Sequence, residues 1–370
     1  MSTFRPDKPF NDLPLLPPAK EIETNRILKD CIGAHRALAH LKQAGRLIPN
    51  QNALINTIPM LEAQSSSAIE NIVTTADALF RHADDTSTAA DAATKETLRY
   101  RTALRAGYEN LSQRPLSTRT AIEVCSAIRG VDTDIRRTPG TALTNQATGE
   151  VIYTPPEGEP KLRDLMQNWE RFIHEQEQID PLVRMAVMHY QFEAIHPFTD
   201  GNGRTGRIMN LLFLIEHDLL EIPVLYLSRY IIQHKDDYYR RLLEVTTQDA
   251  WEPWILFMLE AIEQTATWTN ARILLIRQLQ QHTAEFIRAR KPNLYSAELT
   301  DAIFIQPYCR IGNLVDTGLV KRETASKYLK QLCEIGVLEE IKAGRNKLFV
   351  HPKFIKVLTQ DADAFTEYPR

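Results

Sequence analysis

The sequence predicts a mainly α-helical fold, interrupted by one small β-hairpin and closed by a winged helix-turn-helix. Three observations predict it. Apolar residues recur at helical spacing through most of the chain. Within this helical part, the stretch Arg136 to Pro156 combines turn residues with β-favouring ones. The last eighty residues read helix, helix, helix and then hairpin, the order of a winged helix-turn-helix. The composition agrees with folded domains: 370 residues, 43% hydrophobic and 25% charged, exclude a disordered, collagen-like or coiled-coil-only chain. This length suits two or three domains rather than one.

The elements follow in order. Up to about Lys20, Pro14, Pro17 and Pro18 remove donors and give an extended arm. Ile22, Leu28, Ile32 and Leu38 then set a helical period, and Leu54, Ile58, Leu61, Ile69 and Ile72 set a second after Pro49. Residues 91 to 111 and 120 to 129 give two more helices. The hairpin has TPG and TNQATGE as polar turns, Val151, Ile152 and Tyr153 as a strand, and closes near Gly149. A helix spans about Leu162 to His174. Asp180 and Pro181 supply an N-cap and an N1 proline for the next, which runs toward Ile195. Beyond a Gly-rich loop, an apolar helix covers Arg204 to about Glu216, and Trp251 to about Arg290 holds one or two more. After Pro292 come a helix from Ser296, a short one at Arg310 to Val315, a turn at Thr317 and Gly318, and a helix from Arg322 to Ile335. The hairpin Val337–Ile341 and Lys347–His351 closes on the turn KAGRN.

With 44 Lys+Arg against 47 Asp+Glu, the net charge of -3 excludes coating of nucleic acid through bulk charge. Cys31, Cys125, Cys309 and Cys333 show neither disulfide-framework nor zinc spacing. With no apolar run of signal-peptide or membrane-span length, the expectation is a cytoplasmic protein.

Chemistry concentrates in His196–Arg207, HPFTDGNGRTGR. Gly201, Asn202 and Gly203 can turn successive backbone N–H groups into one concavity, an anion nest. The helix that follows adds its positive end, and Arg204 and Arg207 share its first turn. Two arginines there oppose the helix dipole unless an anion compensates them, so the segment reads as a cradle for several phosphates. Asp200 offers a hard oxygen to Mg²⁺. His196, with an ordinary pKa near 6.5, suits a base.

At every specified position this segment resembles the motif HxFx(D/E)GNGRxxR of the Fic family. The resemblance implies a Fic-type helical bundle and transfer of AMP from ATP to a Ser, Thr or Tyr hydroxyl of a protein, with release of pyrophosphate. Carried over by position, His196 is the base, Phe198 anchors the loop, and Asp200 holds Mg²⁺. Gly201, Asn202 and Gly203 bind the α- and β-phosphates, Arg204 and Arg207 the outer ones, with Thr205 and Gly206 in the same nucleotide-binding loop. The 136–156 hairpin resembles the family's flap, an edge to which a target segment adds as a strand, and Ile152 is its side chain nearest the nucleotide. Tyr238 and Tyr239 resemble a segment lining the nucleoside, although paired tyrosines on a helix are commonly core.

Ser66–Asn71, SSAIEN, matches the inhibitory signature (S/T)xxxE(G/N) of autoinhibited Fic proteins. Ser66 and Glu70 are spaced to share a helical face. The resemblance implies that Glu70 pairs with Arg207, takes the γ-phosphate position and misaligns ATP. In some relatives the same Glu supports removal of AMP. On this reading residues 1–110 are an N-terminal helical region with the inhibitory helix at about 60–75. Residues 111–270 are the catalytic core, 290–356 the winged helix and 357–370 a tail. An unidentified target protein, self-modification and a homodimer are implications of the family alone.

Residues 321–356 carry nine Lys+Arg against four Glu, an excess of +5 that leaves -8 for the remainder. That patch suits DNA phosphates or a protein docking surface. The rival from another class is therefore a DNA-binding transcriptional regulator or toxin-antitoxin component whose Fic domain senses nucleotide. A nearer rival, transfer of another phosphate group, belongs to altered loops, whereas Asp200 and GNGR keep the AMP-transferring pattern.

Overall fold

The computed structural model describes residues 4–48, 51–83, 90–145, 148–343 and 346–369. Pro49, two residues of the flap turn, Gly344 and Arg345 of the KAGRN turn, and Arg370 lie outside the described residues.

Helix α1 (Asn25–Leu47) starts at Thr24, whose side chain caps the Ile27 amide. Its buried face is Ile27, Cys31, Ala34, Leu38 and Leu41, a run spaced four and three residues apart. Leu28 and Ile32, which the sequence suggests for that face, are 41% and 67% exposed. The stripe of Cys31, Ala34 and Ala37 is chosen by close packing against α11 (Trp251–Arg290), a single 40-residue helix.

Helix α2 (Asn52–Ile69) is expected to run to about residue 75 but ends six residues earlier. Glu70 is its C-cap, and Asn71 takes a left-handed φ of 62°. The Ile72 amide donates to Ser67 O and the Asn71 amide to Ala68 O, both at 3.0 Å, which is a Schellman stop. Glu70 therefore sits at the rim of the helix. The left-handed turn also explains physically why Gly or Asn follows the Glu in the signature.

The bundle continues with α3 (Ala76–His82), α4 (Ala92–Leu111) and α5 (Thr118–Arg129). Strands β1 (Leu143–Thr144) and β2 (Val151–Tyr153) pair antiparallel as the hairpin. Then follow α6 (Glu159–Glu175), α7 (Pro181–Ile195), α8 (Asn202–Glu216), α9 (Leu227–Gln233) and α10 (Lys235–Gln248). Helices α7 and α8 pack together at the centre and are buried nearly all round.

The C-terminal part is α12 (Ala297–Ile303), β3 (Tyr308–Cys309), α13 (Ile311–Asp316), α14 (Arg322–Glu334), β4 (Glu339–Ala343), β5 (Asn346–Val350) and α15 (Pro352–Thr359). Its antiparallel sheet has the order β3-β5-β4, one strand more than the sequence suggests. Helix α15 crosses the boundary expected at 356. The segment beyond it packs on α11, where Arg272 Nη1 donates to Gln360 O and Ala362 O and Tyr368 stacks on Phe286 with ring centroids 4.5 Å apart. Among the described residues no helix is long and apolar enough to cross a membrane.

Candidate active site

The end of α7, the loop 196–201 and the start of α8 form the site. His196 is the C-cap of α7 at φ 49°, a left-handed conformation that is costly for a residue with a Cβ. The turn is held from within. Asn202 is 2% exposed; its Oδ1 accepts from the Phe198 amide and its Nδ2 donates to Phe198 O, both at 2.8 Å. Phe198 is fully buried against Phe192. Gly201, at φ 85°, is the N-cap of α8, which starts at Asn202 rather than Arg204. The first-turn amides lack intrahelical acceptors and carry the positive dipole end.

A cavity of about 720 Å³ opens beside this turn. Its wall includes His196, Gly203 and Arg207 from the loop and α8, Glu70 and Asn71 from the end of α2, Ile152 from β2, and Tyr238 and Tyr239 from α10. Tyr238 is also core: it is 1% exposed and its hydroxyl meets His189 Nε2 at 2.8 Å. Tyr239 is 42% exposed. The other expected nucleotide-binding residues do not line this cavity. Asn202 braces the loop, Thr205 is fully buried, and Gly206 packs against Glu193, Phe192 and His189 of α7.

The two arginines part company. Arg207 is 1% exposed; its Nε donates to Ser66 Oγ at 2.8 Å, and its Nη2 donates to Ser66 O at 2.9 Å and Glu70 Oε1 at 2.8 Å. Arg204 is 2% exposed, but its Nη1 donates to Glu96 Oε1 on α4 at 2.5 Å. One sequence signature yields two directions because both α2 and α4 pack against α8, and each offers a glutamate to a different arginine. Gly203 supplies the room for Glu70, since a Cβ there would collide with its carboxylate. The Asn71 side chain accepts from Lys235 Nζ at 3.1 Å.

Burial and the nearby Arg136 charge hold His196 down at about 4, against the opposing pull of Glu70 and Asp200. The imidazole is thus neutral at pH 7 and able to accept a proton. Burial works against the Arg207 charge, yet Glu70 and Glu193 outweigh it and raise its pKa. Glu193, one turn before His196, also lines the cavity, and burial pushes it up to about 8. Sequence reasoning missed it and Lys235; a lone carboxylate within the apolar run YQFEAIHPF is the signal for the first.

Asp200 is exposed, receives the Gly201 amide at 2.7 Å and lies 3.7 Å from Arg204 and 3.9 Å from Arg129. Among the described residues no three His, Cys, Asp or Glu gather as a metal cage. A single accessible carboxylate fits a Mg²⁺ ion carried largely by substrate phosphates.

Fold and cavity together define a helical bundle with a neutral histidine, an anion-receptive helix start and an arginine on one cavity. Three family models agree with that class. Residues 28–109 match the Fic/DOC family N-terminal model, 117–214 the Fic/DOC family model, and 279–354 the C-terminal domain of SoFic-like protein adenylyltransferases. The chain carries the N-terminal and catalytic domains of the Fic/DOC family, followed by a SoFic-like C-terminal domain. A probable protein adenylyltransferase of Aquifex aeolicus is 39% identical over 77 residues, covering 21% of this chain and 23% of that protein. Protein adenylyltransferase Fic of Drosophila mojavensis is 28% identical over 163 residues, covering 38% and 30%. The matches thus span less than a third of those curated relatives. A crystal structure of a Fic family protein from Desulfovibrio desulfuricans superposes with a TM-score of 0.58 at 20% identity, covering 90% of this chain and 98% of that one, a likeness of fold.

Proposed function

We propose that this chain is a Mg²⁺-dependent protein adenylyltransferase restrained by its own Glu70. The observation that carries this reading is Arg207, a buried cation whose carboxylate partner meets it on the wall of a cavity also lined by the neutral His196. An anion that displaces Glu70 finds the arginine already held by Ser66. In the proposed reaction a target hydroxyl gives its proton to the His196 imidazole as its oxygen attacks the α-phosphorus of ATP. The bond to the β-phosphate oxygen breaks and pyrophosphate leaves. Arg207 receives the outer phosphates, the first-turn amides of α8 receive the inner ones, and β1 offers an edge to the target. A Mg²⁺ ion held at Asp200 would neutralise phosphate charge.

With Glu70 in place, its carboxylate competes with the γ-phosphate for Arg207 and leaves ATP misaligned for in-line attack. The test is label transfer from [α-³²P]ATP into extract proteins or the chain itself. Glu70→Gly raises transfer on this reading, and an unchanged rate would refute the inhibitory role. Mass spectrometry of the labelled extract finds the modified hydroxyl, and added pyrophosphate-free buffer reports any AMP removal. The four free cysteines suit a reducing cytoplasm.

The C-terminal domain is proposed as a winged helix. Lys321, Arg322, Lys327 and Lys330, at and along α14, are exposed, which favours an anionic partner such as DNA. A duplex mobility shift that weakens with salt would support that, and no shift at low salt would remove it.

A further inference from the structure

Arg136, at the root of the hairpin, is 3% exposed. Its hydrogen bonds go to backbone carbonyls: Nε donates to His196 O at 2.8 Å, and Nη2 to Pro156 O and, at 3.5 Å, to Ile195 O. Its own amide donates to Pro197 O at 2.8 Å. Ile195 and His196 close α7, where unpaired carbonyls gather the negative end of the helix dipole. A planar guanidinium spreads its donors in a fixed fork and so reaches carbonyls on both the hairpin and the end of α7, whereas an ammonium offers its three donors from a single point.

The geometry joins two things. Residues 136 and 156 are the two ends of the hairpin, and 195–197 are the turn that carries the base. A second tie runs from Tyr153 Oη to Ala194 O at 2.8 Å. From outside, the N-terminal arm braces the same strand: the Phe10 amide donates to Thr154 O at 2.9 Å, Thr154 Oγ1 to Pro6 O at 2.6 Å, and Phe4 stacks on Tyr153. Burying a cation is costly, and this one fixes the distance between hairpin and histidine.

We propose that Arg136 is a positioning residue that locks the target-binding hairpin and His196 into one frame, so that a hydroxyl presented on the hairpin edge arrives within reach of the imidazole. This rests on the adenylyl-transfer reading above. Its second consequence is electrostatic. Arg136 faces His196 from the hairpin root, Glu70 from the end of α2 and Asp200 from the loop, while the Glu193 backbone lies beneath. Only Arg136 among these lowers the histidine's proton affinity, so its removal lets that affinity rise.

The experiment uses the full-length chain with Arg136→Gln and Arg136→Lys, read in two ways. NMR titration of the His196 ring, assigned through His196→Ala, is followed in the otherwise unchanged protein, and label transfer from [α-³²P]ATP to extract proteins in the Glu70→Gly background. Arg136→Gln is expected to cut transfer about 100-fold and to move the histidine midpoint upward. Arg136→Lys keeps the charge, so the midpoint stays low while transfer recovers only in part. Transfer within twofold of the parent in Arg136→Gln, or an unmoved midpoint, overturns the proposal. If Arg136→Gln does not fold, full activity in Arg136→Lys overturns it and reduced activity with an unmoved midpoint supports it. No transfer from the Glu70→Gly parent sinks the adenylyl-transfer reading instead, and the midpoint shift then still decides whether Arg136 governs His196.

Discussion

Glu62 and Glu70 stand eight residues apart on α2 and have opposite surroundings. Glu62 is 1% exposed and enclosed by donors: Oε2 accepts from the Ser228 amide at 2.8 Å, and Oε1 from Ser228 Oγ at 2.5 Å and Tyr100 Oη at 3.1 Å. Burial pushes its pKa above the usual carboxylate value even so. The Glu70 side chain is 32% exposed and meets Arg207 through one oxygen at the edge of a cavity. The first glutamate ties α2 to α9 and α4. The second, at the helix stop, is held by a contact that an incoming phosphate can replace. Residue type is shared; enclosure by donors separates an anchor from a gate.

The comparison can be broken by experiment. The largest effect is expected at the base that shares the cavity with Glu70: His196→Ala in the Glu70→Gly background should lower label transfer by about 10²- to 10⁴-fold, and retained transfer would detach the cavity from the chemistry. Next, Glu62→Ala strands three buried donors and should destabilise the fold by about 3 kcal/mol, measured by urea unfolding. A loss no larger than that of Glu70→Gly would erase the distinction between anchor and gate. Glu70→Gly should raise transfer roughly 10- to 100-fold with little change in the unfolding midpoint. Asn71→Val should destabilise the helix stop by about 1–2 kcal/mol because a β-branched residue resists φ 62°, whereas Asn71→Gly should be nearly neutral in stability.

The smallest signal is in pH dependence. A folded-state His196 pKa of about 4 keeps the base neutral down to that pH, so transfer should not fall between pH 7.5 and 6, where an ordinary histidine would already gain its proton. A rate that halves near pH 6.5 would contradict the environment described for His196.

Much of this was legible in the sequence because it is local. The helical periods, the Asp180–Pro181 start of α7, the hairpin around Gly149 and the segment His196–Arg207 need only neighbours in the chain. The resemblance of SSAIEN to the inhibitory signature also pointed to Arg207, although not to the Schellman stop that ends α2 at Ile69 and makes Asn71 part of the turn. Less legible were Leu28 and Ile32, whose spacing fits a core face but which point to solvent. Periodicity gives a helix its stripe width, while the neighbour, here α11, selects which stripe is buried. Arg204 and Arg207 were indistinguishable in the motif, and Arg136 carried no signal at all.

By itself the sequence determined the elements, the nest-like loop and the residue types able to hold phosphate and accept a proton, since backbone propensity and motif chemistry act over a few residues. Only the tertiary structure decided which arginine faces the cavity, which glutamate is an anchor, and that a buried guanidinium joins the hairpin to the base. Those outcomes depend on which helices flank α8 and on which donors enclose a charge, and both are set by contacts between residues from 20 to 166 positions apart.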